Sequence, residues 1–86
     1  MDRVIIRSDP TTPYHHLYIY KNGERVDTIG VLFEDLIETA LNCIKKYELT
    51  RVDLSGPRIY TEEIEKNIST AIKTDYSFLE ITFRYV

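Results

Sequence analysis

LYIYKNGERVDTI, residues 17–29, places two strand-like runs on either side of Asn22 and Gly23. An Asn-Gly pair favours the type I′ turn, because both residues accept the positive φ angles that match the twist of paired strands. The stretch therefore reads as a β-hairpin, and the rest of the chain can be placed around it.

Upstream, RVIIR (3–7) carries the β-branched Val4, Ile5 and Ile6 and stops at Ser8, Asp9 and Pro10, which predicts a first strand. Residues 8–16, SDPTTPYHH, hold two prolines within four positions and read as a loop. Downstream, from Val31 to Tyr47, the apolar period becomes helical through Phe33, Leu36, Ile37, Ala40, Leu41, Ile44 and Tyr47. Glu34 and Asp35 in the first turn and Lys45 and Lys46 in the last suit the helix dipole. RVDL (51–54) predicts a short strand ending at Ser55, Gly56 and Pro57. A second helix follows, with Thr61 as N-cap, acids at Glu62, Glu63 and Glu65, and a buried face of Ile64, Ile68, Ala71 and Ile72. FLEITFRYV (78–86) closes the chain as a strand by alternation.

The totals bound what such a chain does. At 86 residues it builds one hydrophobic core, and the reading is a single domain over 1–86. The composition, 43% apolar and 29% charged, is that of a folded protein rather than a disordered tail. A net charge of -3, from 14 acidic and 11 basic residues, excludes a global field that would draw the molecule onto a polyanion, though not a local basic patch. The single cysteine, Cys43, forbids an internal disulfide. No stretch approaches the roughly 20 apolar residues of a membrane span, and MDRVIIRSD lacks the apolar run of a secretory leader. The expectation is a cytoplasmic protein without a membrane partner.

The element order is βββαβαβ, an α/β (α+β) pattern with a single mixed sheet of about five strands. That order resembles the core of the ribonuclease-H-like fold, whose sheet runs 3-2-1-4-5; the resemblance covers most of the chain and rests on no sequence motif. It implies crossovers of one hand that put both helices on one face. The family usually adds a further helix after the last strand, whereas this sequence ends at Val86, so the other face is expected to be open.

Strand alternation then assigns the two faces. The helix-facing set is Val4, Ile6, Leu17, Ile19, Val26, Thr28, Val52, Leu54, Leu79, Ile81, Phe83 and Tyr85. The open set is Arg3, Ile5, Arg7, Tyr18, Tyr20, Arg25, Asp27, Arg51, Asp53, Glu80, Thr82 and Arg84, which gathers five of the six arginines. Arginine and tyrosine are the residues interfaces favour. The Asn-Gly register sets Tyr20 against Arg25 and Tyr18 against Asp27, which permits a cation–π contact across the hairpin. The candidate binding residues are thus Arg3, Arg7, Tyr18, Tyr20, Arg25, Arg51 and Arg84, joined by Tyr14 and His16 from the loop. The bland alternative is a solvated face of cross-strand ion pairs.

Candidate chemistry is thin. A ribonuclease-H-like nuclease needs carboxylates converging on divalent metal ions. The nearest here, Asp9, Glu34 or Glu38, and Asp53, fit poorly and read as solvated acids. His15, His16 and Tyr14 lack further ligands for a metal. SGPR (55–58), with Arg58, reads as a turn rather than a phosphate loop. Cys43 reads as core, with no base beside it. No catalytic residue, metal or cofactor is assigned. The expected function is a non-catalytic macromolecule-binding protein of adaptor or inhibitor type, such as an accessory protein of a phage or mobile element. Its partner is expected to be a protein or a second copy of itself, because three acids, Asp27, Asp53 and Glu80, lie among the arginines. The alternatives are single-stranded nucleic-acid binding and a metal-dependent nuclease of ribonuclease-H-like descent.

Overall fold

The structure, a computed structural model, describes the backbone of residues 2–75 and 80–85 and the side chains of 2–71 and 80–82. Five strands and two helices follow one another as β1 (Arg3–Ser8), β2 (Tyr14–Lys21), β3 (Glu24–Leu32), α1 (Phe33–Tyr47), β4 (Arg51–Gly56), α2 (Arg58–Asp75) and β5 (Glu80–Tyr85). The sheet is mixed, in the order β3-β2-β1-β4-β5. β1 pairs antiparallel with β2 and parallel with β4, and β4 pairs parallel with β5.

Asn22 and Gly23 take φ angles of 53° and 83°, the two left-handed conformations a type I′ turn demands, so the hairpin forms where the dipeptide stands. α1 carries Glu34 and Asp35 in its first turn and Lys45 and Lys46 in its last, and it ends at Glu48 in the left-handed region. Both helices pack on the sheet face that presents Val4, Ile6, Leu17, Ile19, Val52 and Leu54, and these side chains join Leu36, Ala40, Cys43, Ile44, Ile64 and Ile68 in one buried core. Cys43 is accordingly a core residue. No described helix or strand covers the opposite face. The described molecule is compact, with a radius of gyration of 11.7 Å, and none of its described helices is long and apolar enough to cross a membrane.

Several sequence expectations are corrected. The segment 8–16 is not one loop: β1 runs on to Ser8 and β2 starts at Tyr14, because Ser8 and His15 pair across the two strands. The helical period assigned to Val31 begins two residues later, since β3 stays paired with β2 as far as Tyr14 and Leu32. β4 extends to Gly56. α2 begins at Arg58 rather than beyond Thr61, because the Pro57 carbonyl accepts the first helical hydrogen bonds, from Tyr60 at 3.1 Å and Thr61 at 3.2 Å. Thr61 is fully buried inside that first turn, with its hydroxyl donating back to the Arg58 carbonyl at 3.1 Å.

The largest correction concerns β3. Tyr20 sits opposite Arg25, but Ile19 sits opposite Asp27, so Val26 is an extra residue and a β-bulge breaks the register. Past a one-residue shift every side chain changes face. Val26 and Thr28, expected against the helices, are exposed, whereas Ile29 and Val31 pack on the core. The bulge puts two branched hydrocarbons inside in place of Thr28 and Gly30, which accounts for the register the chain adopts. Asp27 leaves the open face in the exchange. It pairs with Ile19 rather than facing Tyr18, and its carboxylate accepts from the Tyr47 hydroxyl at 3.1 Å. Of the expected helix-facing set, Leu79 lies outside the described residues, as do the side chains of Phe83 and Tyr85.

Candidate functional site

β2 is the strand that builds the open face. Its alternation sends His15, Leu17 and Ile19 into the core and Tyr14, His16, Tyr18 and Tyr20 outward, an unbroken aromatic stripe along one strand. Tyr14 is half exposed, and His16 lies in a stacked arrangement with Tyr18, ring centroids 6.3 Å apart and 21° between planes. On the β1 side the stripe meets Arg3, opposite Tyr20, and Arg7, opposite His16. On the β3 side it meets Arg25, then the small residues Thr28 and Gly30. The Arg3 guanidinium lies 5.3 Å from the Tyr20 ring centre and that of Arg25 lies 5.7 Å from Tyr18. The expected cross-hairpin contact of Arg25 thus falls on the diagonal tyrosine.

Beside the stripe a cleft of about 710 Å³ opens, lined by Ile5, Arg7, Tyr18, Tyr20, Arg25 and the chain around Ser8 and Gly56. It lies at the carboxyl ends of the parallel strands β1 and β4, where the chain leaves β1 towards β2 on one side and β4 towards α2 and β5 on the other.

A second, smaller hollow of about 270 Å³ surrounds Asp53. Arg3 approaches this carboxylate at 3.1 Å and Arg51 at 2.7 Å, and the Thr82 hydroxyl donates to it. Burial pushes the Asp53 carboxyl up, but the Thr82 and Arg51 hydrogen bonds and the charges of Arg51 and Arg3 outweigh it and hold the group below the usual carboxylate range. The arginines of the open face therefore divide. Arg3 and Arg51 share Asp53, whereas among the described residues no carboxylate lies within ion-pair distance of Arg7 or Arg25. The side chain of Arg84 lies outside the described residues; its backbone is opposite Ser55.

The other acids are dispersed. Asp9 caps its own turn, accepting from the Thr11 hydroxyl at 2.6 Å and the Thr11 backbone N–H at 2.9 Å, and these bonds lower its pKa. Glu34 and Glu38 are exposed on α1. Among the described residues no group of three or more His, Cys, Asp or Glu is placed to hold a metal ion.

The two adjacent histidines separate. His15 turns inward, 5% exposed, where its Nδ1 and the Ser8 hydroxyl share a hydrogen bond of 2.8 Å between the rings of Phe33 and Tyr60. Burial lowers its pKa, with a smaller push from His16. Because the folded state holds this imidazole neutral, the unfolded chain binds the extra proton first as pH drops below 6.5, and stability falls with it. Urea melts at pH 7.5 and 5.0 should show the protein weaker at the lower pH. A Ser8→Ala/His15→Leu variant should lose that difference, and an undiminished one would place the titration elsewhere.

Sequence reasoning missed two features of the site. Tyr14 and His16 are strand residues in line with Tyr18 and Tyr20 rather than an appended loop, and the alternation of YHHLYIY (14–20) carried that signal. The removal of Asp27 by the bulge had a weaker signal, the spacing of Ile29 and Val31.

No known family model and no curated protein matches this sequence. Among solved structures the fold is similar to part of Archaeoglobus fulgidus Pelota, whose crystal structure is described as revealing inter-domain structural plasticity. The TM-score is 0.62 with 9% identity, over 99% of this chain and 26% of that one. The chain thus spans about a quarter of that protein's length, and the likeness is one of fold.

Proposed function

We propose that this protein is a non-catalytic binding module that engages a macromolecule through its uncovered sheet face, in the manner of an adaptor or inhibitor in the cytoplasm. The observation that carries the reading is the convergence of Tyr18, Tyr20, Arg7 and Arg25 on one cleft of about 710 Å³, over a core that is buried on the other side of the same strands. Rigid strands hold these side chains at fixed spacing, so little entropy is lost when a partner docks. Arg and Tyr are also the residues whose truncation most often weakens an interface.

A ribonuclease-H-like core topology is part of this proposal. Its support is the antiparallel hairpin followed by two parallel crossovers, and the likeness of fold to part of Pelota carries no activity over to this chain. The carboxylate nearest to a nuclease role, Asp53, is held by two guanidiniums and a hydroxyl.

The test is the Tyr20→Ala/Arg25→Ala double variant. Sedimentation velocity across protein concentration reads self-association, and heteronuclear NMR titration with an acidic peptide and a single-stranded oligonucleotide reads other partners. Whichever association the parent shows should weaken at least tenfold in the variant, with an unchanged circular dichroism spectrum. Association at parental strength would refute the role of this face.

A further inference from the structure

The rearranged charge of the open face points to the chemistry of its partner. Expected among the arginines were three acids; the bulge at Val26 takes Asp27 to the helix side, and Asp53 is shared by Arg3 and Arg51. That leaves four arginines, Arg3, Arg7, Arg25 and Arg51, against Asp53 and Glu80 among the described side chains of the face, an excess of two positive charges. Arg7 and Arg25 flank the aromatic stripe from opposite sides, Asp9 at the rim of the cleft offsets part of the Arg7 charge, and Glu80 lies beyond β4 on the edge strand β5. A protein of net charge -3 has gathered a local cationic, aromatic surface.

We infer that this surface binds single-stranded nucleic acid, with the Tyr14–His16–Tyr18–Tyr20 stripe stacking successive bases and Arg7 and Arg25 taking the backbone phosphates. Successive outward residues of a strand are about 6.7 Å apart, so the stripe offers flat faces at regular intervals along roughly 20 Å. Sheets that present aromatic rings in this way stack about two or three splayed bases, and stacking tolerates any sequence because every base has a π-face. Thr28 and Gly30 stand opposite Tyr18 and His16, and the His16 ring lies across Gly30, 3.7 Å from where a β-carbon would stand, so no β3 side chain at that position competes with the ring for space. The guanidiniums of Arg3 and Arg25 already lie by the tyrosine rings, ready to continue a stack or to turn to a phosphate. A duplex would present its bases inward to the stripe's disadvantage, so the preference is for unpaired strands. A polyacidic or phosphorylated peptide would satisfy the arginines but would leave the stripe without flat partners.

This inference rests on the open face being the binding face, and the experiment separates the two. Fluorescein-labelled oligo(dT) and oligo(rU) of about ten nucleotides would be titrated with the full chain by anisotropy, with the matching duplex and an octaglutamate peptide as competitors. The expected result is saturable binding that the single strand competes and the others do not, weakening with salt at a log–log slope of about -0.7 per phosphate contacted. Arg7→Gln/Arg25→Gln should raise Kd at least tenfold and flatten that slope by about 1.4, two contacts' worth. Tyr18→Leu should raise Kd about tenfold with the slope kept, since stacking releases no counterions. Absence of saturable binding, equal competition by duplex or peptide, or a slope insensitive to the arginines would each overturn the inference. If the NMR signals of β2 and β3 then respond to the peptide or to a second copy instead, the binding face stands and only its nucleic-acid partner falls. If no probe moves them, both readings fall.

Discussion

Gly56→Ala is expected to destabilise the protein by about 3 kcal/mol or more, a large part of the 5–10 kcal/mol on the order of which a domain this size is stable. Two independent costs add. Gly56 has φ of +140°, a conformation that residues with a β-carbon rarely adopt, and such strain costs about 1–3 kcal/mol. An alanine methyl there would also stand 2.6 Å from the Ser8 carbonyl oxygen, closer than real contacts sustain, and 3.0 Å from the Ser8 β-carbon, tighter than nearly all of them. Ser8 has little room to retreat, because its backbone is the end of β1 and its hydroxyl is bound to His15 in the core. The substitution should therefore part β1 from β4 at the mouth of the cleft. Gly23→Ala is the internal comparison. Its φ of +83° is also positive, but no atom lies within 4 Å of the added carbon, so its cost should be confined to about 1–2 kcal/mol of backbone strain. Urea denaturation of the two variants reads both terms. Equal losses would show that the approach to Ser8 costs nothing, and a loss under 1 kcal/mol at Gly56 would contradict the geometry outright.

Gly56 also shows where the sequence was legible and where it was not. SGPR reads as a turn, whereas Ser55 and Gly56 finish β4 and Arg58 opens α2 across Pro57 alone, and nothing local reveals that the glycine is required by Ser8, 48 positions earlier in the chain. Signals confined to a few neighbours translated well: Asn22 and Gly23 fixed the hairpin, and the apolar spacing from Phe33 to Tyr47 fixed α1. Signals that depend on competition between distant choices did not. Alternation counted outward from the turn predicts that Val26 and Thr28 are buried, yet Ile29 and Val31 win the core once one residue is looped out. The same competition decides the candidate site, since it removes Asp27 from the neighbourhood of Tyr18. At α2 the informative residue was Pro57, which cannot donate a hydrogen bond and so commonly stands at a helix start; Thr61 looked like a cap but is a buried helix residue.

Asp53→Ala should cost about 1–2 kcal/mol of stability and at the same time tighten oligonucleotide binding, two effects of opposite sign from one carboxylate. The side chain is 16% exposed and is bound by Arg3, Arg51 and Thr82, so its loss removes three polar contacts at once. The figure stays well below that for breaking a fully buried ion pair because the Arg3 and Arg51 side chains are 36% and 28% exposed and water screens them. Asp53→Asn isolates the charge, since an amide oxygen still accepts from Thr82. The sign in acid follows from the direction of the shift. A carboxyl held below its ordinary value of 3.8 contributes its full stability above that pH and loses it as pH falls through the folded-state value. The parent should therefore show a steeper loss below pH 3.8 than Asp53→Asn. The difference between the two melts belongs to this residue alone, because Asp2 and Asp9, also lowered by their hydrogen bonds, titrate in both. On the binding side, removing the carboxylate releases Arg3 from it and raises the excess charge of the open face from two to three. Affinity for a ten-nucleotide oligo(dT) should rise about two- to fivefold at low salt and the gain should fade as salt is added. A variant that loses stability as expected yet binds more weakly would mean that Asp53 orients Arg3 and Arg51 for the ligand, and that the stripe works only with those guanidiniums held in place.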